Sequence, residues 1–238
     1  MPGLGTIINT AAIVVGGLLG LLFKNLLTKS MEDTLLKASS VCVLFIGIGG
    51  AMQHMLKITD GALETSGSMM LIICFVLGSI VGELLDIEGA FERFGAWLRK
   101  KTHNESDTGF LSAFIHASLT VCIGAMAIVG SIQDGLLDDS SLLCAKAALD
   151  AVIILVMTAS MGKGCIFSAI PVALLQGGVT LLSRVLAPVF TEAAIANLSY
   201  TGSVMIFCVG LNLVWGKKIK VANLLPTLVF AVLYALVF

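Results

Sequence analysis

Charge is scarce in this sequence: Asp, Glu, Lys and Arg make up 12% of 238 residues, about half of what a soluble domain carries. With 58% of the residues hydrophobic, a water-soluble fold would have too little polar surface to cover itself. The net charge of −1 gives nucleic acid, or any strongly charged partner, nothing to attract. Aromatic residues are only 7% of the chain, which argues against a stacking platform or a cofactor box. The six cysteines (Cys42, Cys74, Cys122, Cys144, Cys165 and Cys208) fall singly inside apolar stretches. They show neither metal-ligand spacing nor a disulfide framework, and they read as small buried residues. A Gly-rich phosphate loop is also missing, as is a nucleophile with histidine and carboxylate at an interpretable spacing. No metal, no cofactor and no enzymatic activity are therefore expected. The first apolar block, Gly5 to Phe23, has no basic region before it and no small-residue cleavage site after it, so it is expected to stay as a helix rather than be removed as a signal peptide.

What the chain does have is long apolar runs. Blocks of about 18–25 residues can each cross a hydrocarbon core of about 30 Å as a helix. Solid blocks rather than alternating positions exclude a barrel. The sequence predicts an all-α integral membrane protein of about eight transmembrane helices, at about 5–24, 36–56, 68–86, 109–133, 141–161, 164–184, 197–215 and 219–237. Between the third and fourth, the segment at about 83–107 carries Ile87, Phe91, Phe94, Trp97 and Leu98 at helical spacing, opposite Glu88, Glu92, Arg93 and Arg99. That is the pattern of a helix lying in the headgroup plane.

Basic residues set the orientation, because they are retained on the cytoplasmic side. With eight spans and an external N-terminus, Lys24, Lys29, Lys37, Arg93, Arg99, Lys100, Lys101, Lys163, Lys217, Lys218 and Lys220 are cytoplasmic, eleven of the fourteen. Lys57 and Arg184 stay outside, and Lys146 lies within a span. A multi-pass protein of the cytoplasmic membrane with both termini external is expected.

The chain also resembles itself. Gly5-Thr-Ile-Ile-Asn9 and the pair Gly16-Gly17 recur as Gly164-Cys-Ile-Phe-Ser168 and Gly177-Gly178. The match continues through Lys24 with Arg184, Glu32 with Glu192 and Gly47 with Gly210. Helices 1–3 thus match helices 6–8, which begin an odd number of spans later and so are inverted, a pattern found in secondary transporters. The expected layout is one transmembrane domain: a first repeat at about 5–86, a cytoplasmic amphipathic segment at about 83–107, central helices at about 109–161 and a second repeat at about 164–238. A second similarity, at a constant offset, links Gly50-Ala-Met52 through Asp60-Gly61 with Gly124-Ala-Met126 through Asp134-Gly135.

Ionisable and polar groups inside a bilayer are costly and therefore candidates for function. Lys146 and Asp150 stand one turn apart on a helix face and are placed to pair. If that helix enters at Ser141, Asp150 lies about 13 Å deep, near the midplane. It reads either as a proton- or cation-binding carboxylate or as half of a buried structural pair. Gln133 and Asp134 close the external end of the fourth helix, where Asp134 is placed to guard an entrance, and His116 lies in its cytoplasmic half. Asn9, Gln176 and Asn212 are polar side chains within apolar blocks. Gly162 and Gly164 flank a break followed by Ser168, where a sharp backbone turn or close approach is expected.

An ordered set of segments carries a resemblance to a known family: Cys122-Ile-Gly-Ala-Met126, Val129-Gly-Ser-Ile-Gln-Asp-Gly135, Lys146-Ala-Ala-Leu-Asp150, Gly162-Lys-Gly164 with Phe167-Ser-Ala169, Gln176-Gly177, Gly210-Leu-Asn212, and Lys218 through Pro226. Together they resemble the bacterial and archaeal membrane family known as domain of unknown function 554. The resemblance implies a prokaryotic inner-membrane protein often described as a transporter, without a substrate to carry over. The function expected is a secondary transporter or facilitator for a small solute or ion, proton- or cation-coupled, with Asp150, Lys146, Gln133, Asp134, Asn9, Ser168, Asn212 and Gln176 along its pathway. The alternatives are a membrane-embedded enzyme acting on a lipid, and a non-transporting scaffold or sensor that uses the surface Ile87–Leu98. Expected partners are the bilayer and the solute, without nucleic acid. The small-residue spacings Gly16/Gly20 and Gly78/Gly82 allow close helix packing and leave a homo-oligomer open.

Overall fold

The computed structural model describes residues 2–24, 28–59, 61–102, 108–122, 125–186, 188–216 and 218–237. They form eleven α-helices and one β-hairpin: α1 (Leu4–Lys24), α2 (Lys29–Met55), β1 (Leu56–Thr59), β2 (Ala62–Thr65), α3 (Ser68–Leu85), α4 (Ile87–Lys101), α5 (Phe110–Cys122), α6 (Ala125–Leu137), α7 (Ser141–Met161), α8 (Ala169–Leu181), α9 (Ser183–Leu186), α10 (Glu192–Trp215) and α11 (Pro226–Val237). Short 3₁₀ turns, Lys163–Ser168 and Val221–Leu224, lead into α8 and α11.

Among the described residues, five helical units are long and apolar enough to cross a membrane: α1, α3, α7, Lys163–Leu181 and α10. The pair α5 and α6, bent by 60°, is either a broken span, which would make a sixth, or a re-entrant loop. Ser40–Met55 and Val221–Val237 are apolar but shorter. Compared with the eight full spans expected, the continuous fourth helix at 109–133 is the main correction: it is two helices. Residue pairs such as Cys122 and Met126 look equally apolar in sequence, so nothing in the run marks where a helix stops. The helix expected from 36 begins earlier, at Lys29, where the Thr28 hydroxyl accepts a hydrogen bond from the Met31 amide at 3.3 Å. Likewise α10 starts at Glu192, with Thr191 capping Ala194 N–H at 3.2 Å. Both are ordinary N-caps, and both extend their helices beyond the apolar block.

Glycine lines the closest helix contacts. α1 and α7 run parallel, with Gly5 against Leu143, Gly16 against Ala151 and Gly20 against Leu155. A Cβ on Gly16 would lie 2.3 Å from the Ala151 carbonyl oxygen, so only glycine permits the approach. α2 and α10 run antiparallel in a reciprocal contact: Gly47 meets Phe207, and Gly210 meets Leu44. α3 packs antiparallel on α11 and the 3₁₀ turn before it, through Gly78 against Thr227 and Gly82 against Asn223. The largest cluster of buried apolar residues includes Phe110, Phe114, Ile154, Met157, Val172 and Met205. Ile7, Val15, Leu18, Leu22, Ile72, Val76 and Ile80 remain exposed on α1 and α3, a lipid-facing surface rather than a water-facing one.

The segment expected to lie in the headgroup plane also packs on the protein: Gly95 of α4 meets Leu111 and Phe114 of α5, and the Phe94 and Phe114 rings are 5.9 Å apart. Its apolar face is used by the protein itself, with Leu98 buried and Trp97 left exposed. Residues 103–107, included in that expectation, lie outside the described residues. The constant-offset similarity between 50–61 and 124–135 has no structural counterpart, because Leu56–Thr59 is a strand whereas 130–133 is helical. Gly124 and Asp60, which anchored it, are outside the described residues, as is Lys217 of the basic end.

Candidate functional site

Three helices converge on Asp150, which sits in the middle of α7 and is almost fully buried. Lys146, one turn earlier, donates from Nζ to Asp150 Oδ2 at 2.5 Å and to the Val121 carbonyl at 2.8 Å. Val121 belongs to the last turn of α5, where carbonyls have no partner within the helix. The ammonium therefore bridges a carboxylate and a helix end. From α1, Asn9 Nδ2 donates to Asp150 Oδ2 at 3.0 Å and to Gln176 Oε1 of α8 at 3.3 Å. Gly16, Gly20 and their contacts hold α1 against α7 closely enough for this cluster to close.

The cluster is not saturated. Asn9 Oδ1 and Gln176 Nε2 are buried without a protein hydrogen-bond partner, and each such atom costs about 1–3 kcal/mol unless something else bonds to it. One is an acceptor and the other a donor, on adjacent helices, so a small polar molecule between them would satisfy both. Above the cluster, at the start of α1 and the end of α8, a cavity of about 420 Å³ opens, lined by Gly3, Thr6, Gly135, Gly177, Thr180 and Ser183. Thr6 lies three residues from Asn9 and Thr180 four from Gln176, so the cavity wall and the cluster share helix faces. Asp134 of α6 is fully buried beside it, its Oδ2 accepting from the Gly5 amide at 3.2 Å.

The other predicted residues are placed elsewhere. Gln133 is half-buried and outside the hydrogen-bonded cluster. Ser168 bonds the Cys165 carbonyl within its own 3₁₀ turn at 2.7 Å. Asn212 clamps the chain after α10, accepting from the Lys218 and Ile219 amides and donating to the Ile219 carbonyl. Gly162 adopts φ = 100°, a conformation other residues resist. Gly164 sits so close to the Phe110 carbonyl that a Cβ would come within 2.2 Å of it. His116 contacts Ser112 and lines a separate cavity of about 220 Å³ together with Glu88, Glu92 and Asn212.

Residues 4–236 match the family described as "Protein of unknown function (DUF554)". The chain belongs to the DUF554 family. It is similar to the "Uncharacterized membrane protein YdfK" of Bacillus subtilis (strain 168), 25% identical over 224 residues that cover 94% of this chain and 92% of the relative. It is equally similar to the "Uncharacterized protein YqgA" of Escherichia coli (strain K12), 25% identical over 235 residues covering 96% of this chain and 94% of the relative. No solved structure matches. With a DUF554 match over nearly its whole length and several long apolar helices, the protein is a membrane protein.

One polar knot in this DUF554 chain escaped the sequence reading. Glu88, expected on the polar face of α4, is buried and accepts from the Ala222 amide at 3.0 Å, while its own amide donates to Asn223 Oδ1 at 2.7 Å. Asn223 also donates to Glu83, which pairs with Lys220 at 2.5 Å. Asp86 turns the chain between α3 and α4 at φ = 48° and caps Gly89. The hydrogen bond from Arg93 holds the Asp86 carboxyl below its ordinary range, and the bond to Glu83 raises the Lys220 ammonium. The knot fixes the last 3₁₀ turn to the α3–α4 corner. Its signal was only the spacing of Glu83 and Glu88, which any solvated helix face could share.

Proposed function

We propose that this protein is a secondary transporter or facilitator, not an enzyme, that moves a small solute or ion across the cytoplasmic membrane along α1, α7 and α8. The observation that carries this reading is the unsaturated polar cluster of Asn9, Lys146, Asp150 and Gln176 in the middle of apolar helices. A purely structural ion pair would have its remaining polar groups satisfied. Asp150 and Lys146 give a carboxylate whose partner is one turn away, so a competing ion or a proton can exchange there. The adjacent bend between α5 and α6 supports the reading, since irregular backbone at membrane depth is tolerated where it lines a cavity or is buried in protein.

The eight-span, inverted-repeat arrangement belongs to this proposal. The reciprocal contact of Gly47 with Phe207 and Gly210 with Leu44 supports it, because exchanging the two repeats carries each contact approximately onto the other. The basic residues Lys24, Lys163, Lys218 and Lys220 follow or adjoin the ends of α1, α7 and α10, and this end is assigned to the cytoplasm by the retention of positive charge. His116 lines one cavity, whereas Asp134 is buried against the Gly5 amide, beside Gly135 in the wall of another, which supports a non-enzymatic reading over a shared lipid-cleaving centre. The test is flux into proteoliposomes of the full chain across a panel of sodium, potassium, ammonium, small anions and neutral solutes. Asp150→Asn is expected to insert normally and to lose the flux that the native chain shows. Unchanged flux would remove Asp150 from the pathway.

A further inference from the structure

The central helices carry three buried charges, and they do not cancel. Lys146 and Asp150 neutralise each other. Asp134 is 0% exposed, yet one of its oxygens meets only the Gly5 amide and the other, Oδ1, has no protein partner. Among the described residues no basic side chain pairs with it. An amide at the start of α1 gives a carboxylate partial compensation, and the charge that remains is relieved by a proton or by a bound cation.

The surroundings say which charge. Thr6 and Thr180 are 8% and 6% exposed, line the cavity of about 420 Å³ and have hydroxyls without a protein partner. Gly135, next to Asp134, brings α6 so close to α8 that a Cβ there would lie 2.5 Å from the Thr180 carbonyl oxygen and from Ser183 Oγ. The free donors are thus a carboxylate oxygen and hydroxyl oxygens, a hard set that suits alkali ions or ammonium and not a thiolate- or imidazole-seeking metal. A single carboxylate is too little charge for a divalent ion, which gathers several. The cavity is also roomy enough to leave water on the ion.

We infer that Asp134, Thr6 and Thr180 form a second site, at the outer mouth of the pathway, for a small monovalent cation. The site stands on its own geometry; that the cation then passes to Asp150 rests on the transport reading above. Thr6 leads to Asn9 along α1, and Thr180 to Gln176 along α8. An ion leaving the mouth therefore meets the two unsatisfied amide atoms before it meets the carboxylate already held by Lys146.

The experiment is thermal unfolding of the purified full chain in detergent, titrated with lithium, sodium, potassium or ammonium chloride against choline chloride at constant ionic strength. At least one small cation is expected to raise the unfolding temperature saturably. The rise should vanish in Asp134→Asn, weaken about tenfold in apparent affinity in Thr6→Val or Thr180→Val, and persist in Asp150→Asn. If Asp134→Asn does not fold, the two threonine variants decide the matter. Identical stability in all salts would overturn the site, as would a saturable rise that survives Asp134→Asn or both threonine changes. Loss of flux in Asp150→Asn without any cation-dependent stability would leave the pathway standing and remove the mouth site. A cation effect at Asp134 with flux indifferent to Asp150 would do the reverse.

Discussion

Lys146 is the residue on which the interior depends most, because it neutralises Asp150 and occupies the Val121 carbonyl at once. Removing one member of a buried ion pair leaves the other charge without compensation and costs about 3–5 kcal/mol. Lys146→Met should therefore destabilise the protein by that amount in denaturant unfolding in detergent. Adding Asp150→Leu to the same chain should recover most of the loss, since no buried charge of the pair is then left over. Lys146 and Asp150 were legible in the sequence as a pair, because four residues on a helix fix their separation. Asn9 and Gln176 were legible only as polar intruders in apolar blocks. That they meet Asp150 depends on how α1 and α8 dock on α7, and nothing in local spacing encodes that. Glu88 was misread for a related reason: an amphipathic helix predicts which face is polar, not that the polar face will find Ala222 and Asn223.

At the scale of elements, helix existence followed from apolar length and was read correctly for α1, α3 and α7. The interruption between α5 and α6 was not, since the polar residues of the run from 109 to 133 are scattered along it rather than gathered at one place, and a lone glycine is tolerated within helices. The repeat matched glycine with glycine without revealing that their jobs differ. Gly16 presses on Ala151 and Gly17 on Ile166, whereas their counterparts Gly177 and Gly178 have nothing within 4 Å of an added Cβ. Gly16→Ala is expected to destabilise by about 1–3 kcal/mol through overpacking. Gly178→Ala should be neutral or stabilise by up to about 1 kcal/mol, as alanine favours helix. Parallel thermal-unfolding measurements on the two single variants check both, and equal losses would contradict the packing described for α1 and α7.

For the whole molecule, the uneven distribution of basic residues carries the expected orientation. In the structure, α1 and α7 end side by side at Lys24 and Met161, just before Lys163, with Lys24 Nζ 3.1 Å from where a Gly162 Cβ would lie. The knot at Glu83, Glu88 and Lys220 joins α3, α4 and the approach to α11. If this end faces the cytoplasm, reporter tags at either terminus should be accessible to an impermeant reagent in intact cells. Labelling of either terminus only after the membrane is opened would contradict that orientation.

The parallel contact between α1 and α7 also dictates an order in time. The ribosome finishes α1 at Lys24 and does not begin α7 until Ser141, an interval of about 6–23 s at ordinary rates of synthesis. For that period Asn9 faces lipid or a transient companion, and the glycine groove of α1 waits for the helix that will fill it. The polar cluster cannot exist until α7 and α8 have been made, so α1 acquires these native neighbours long after its own synthesis.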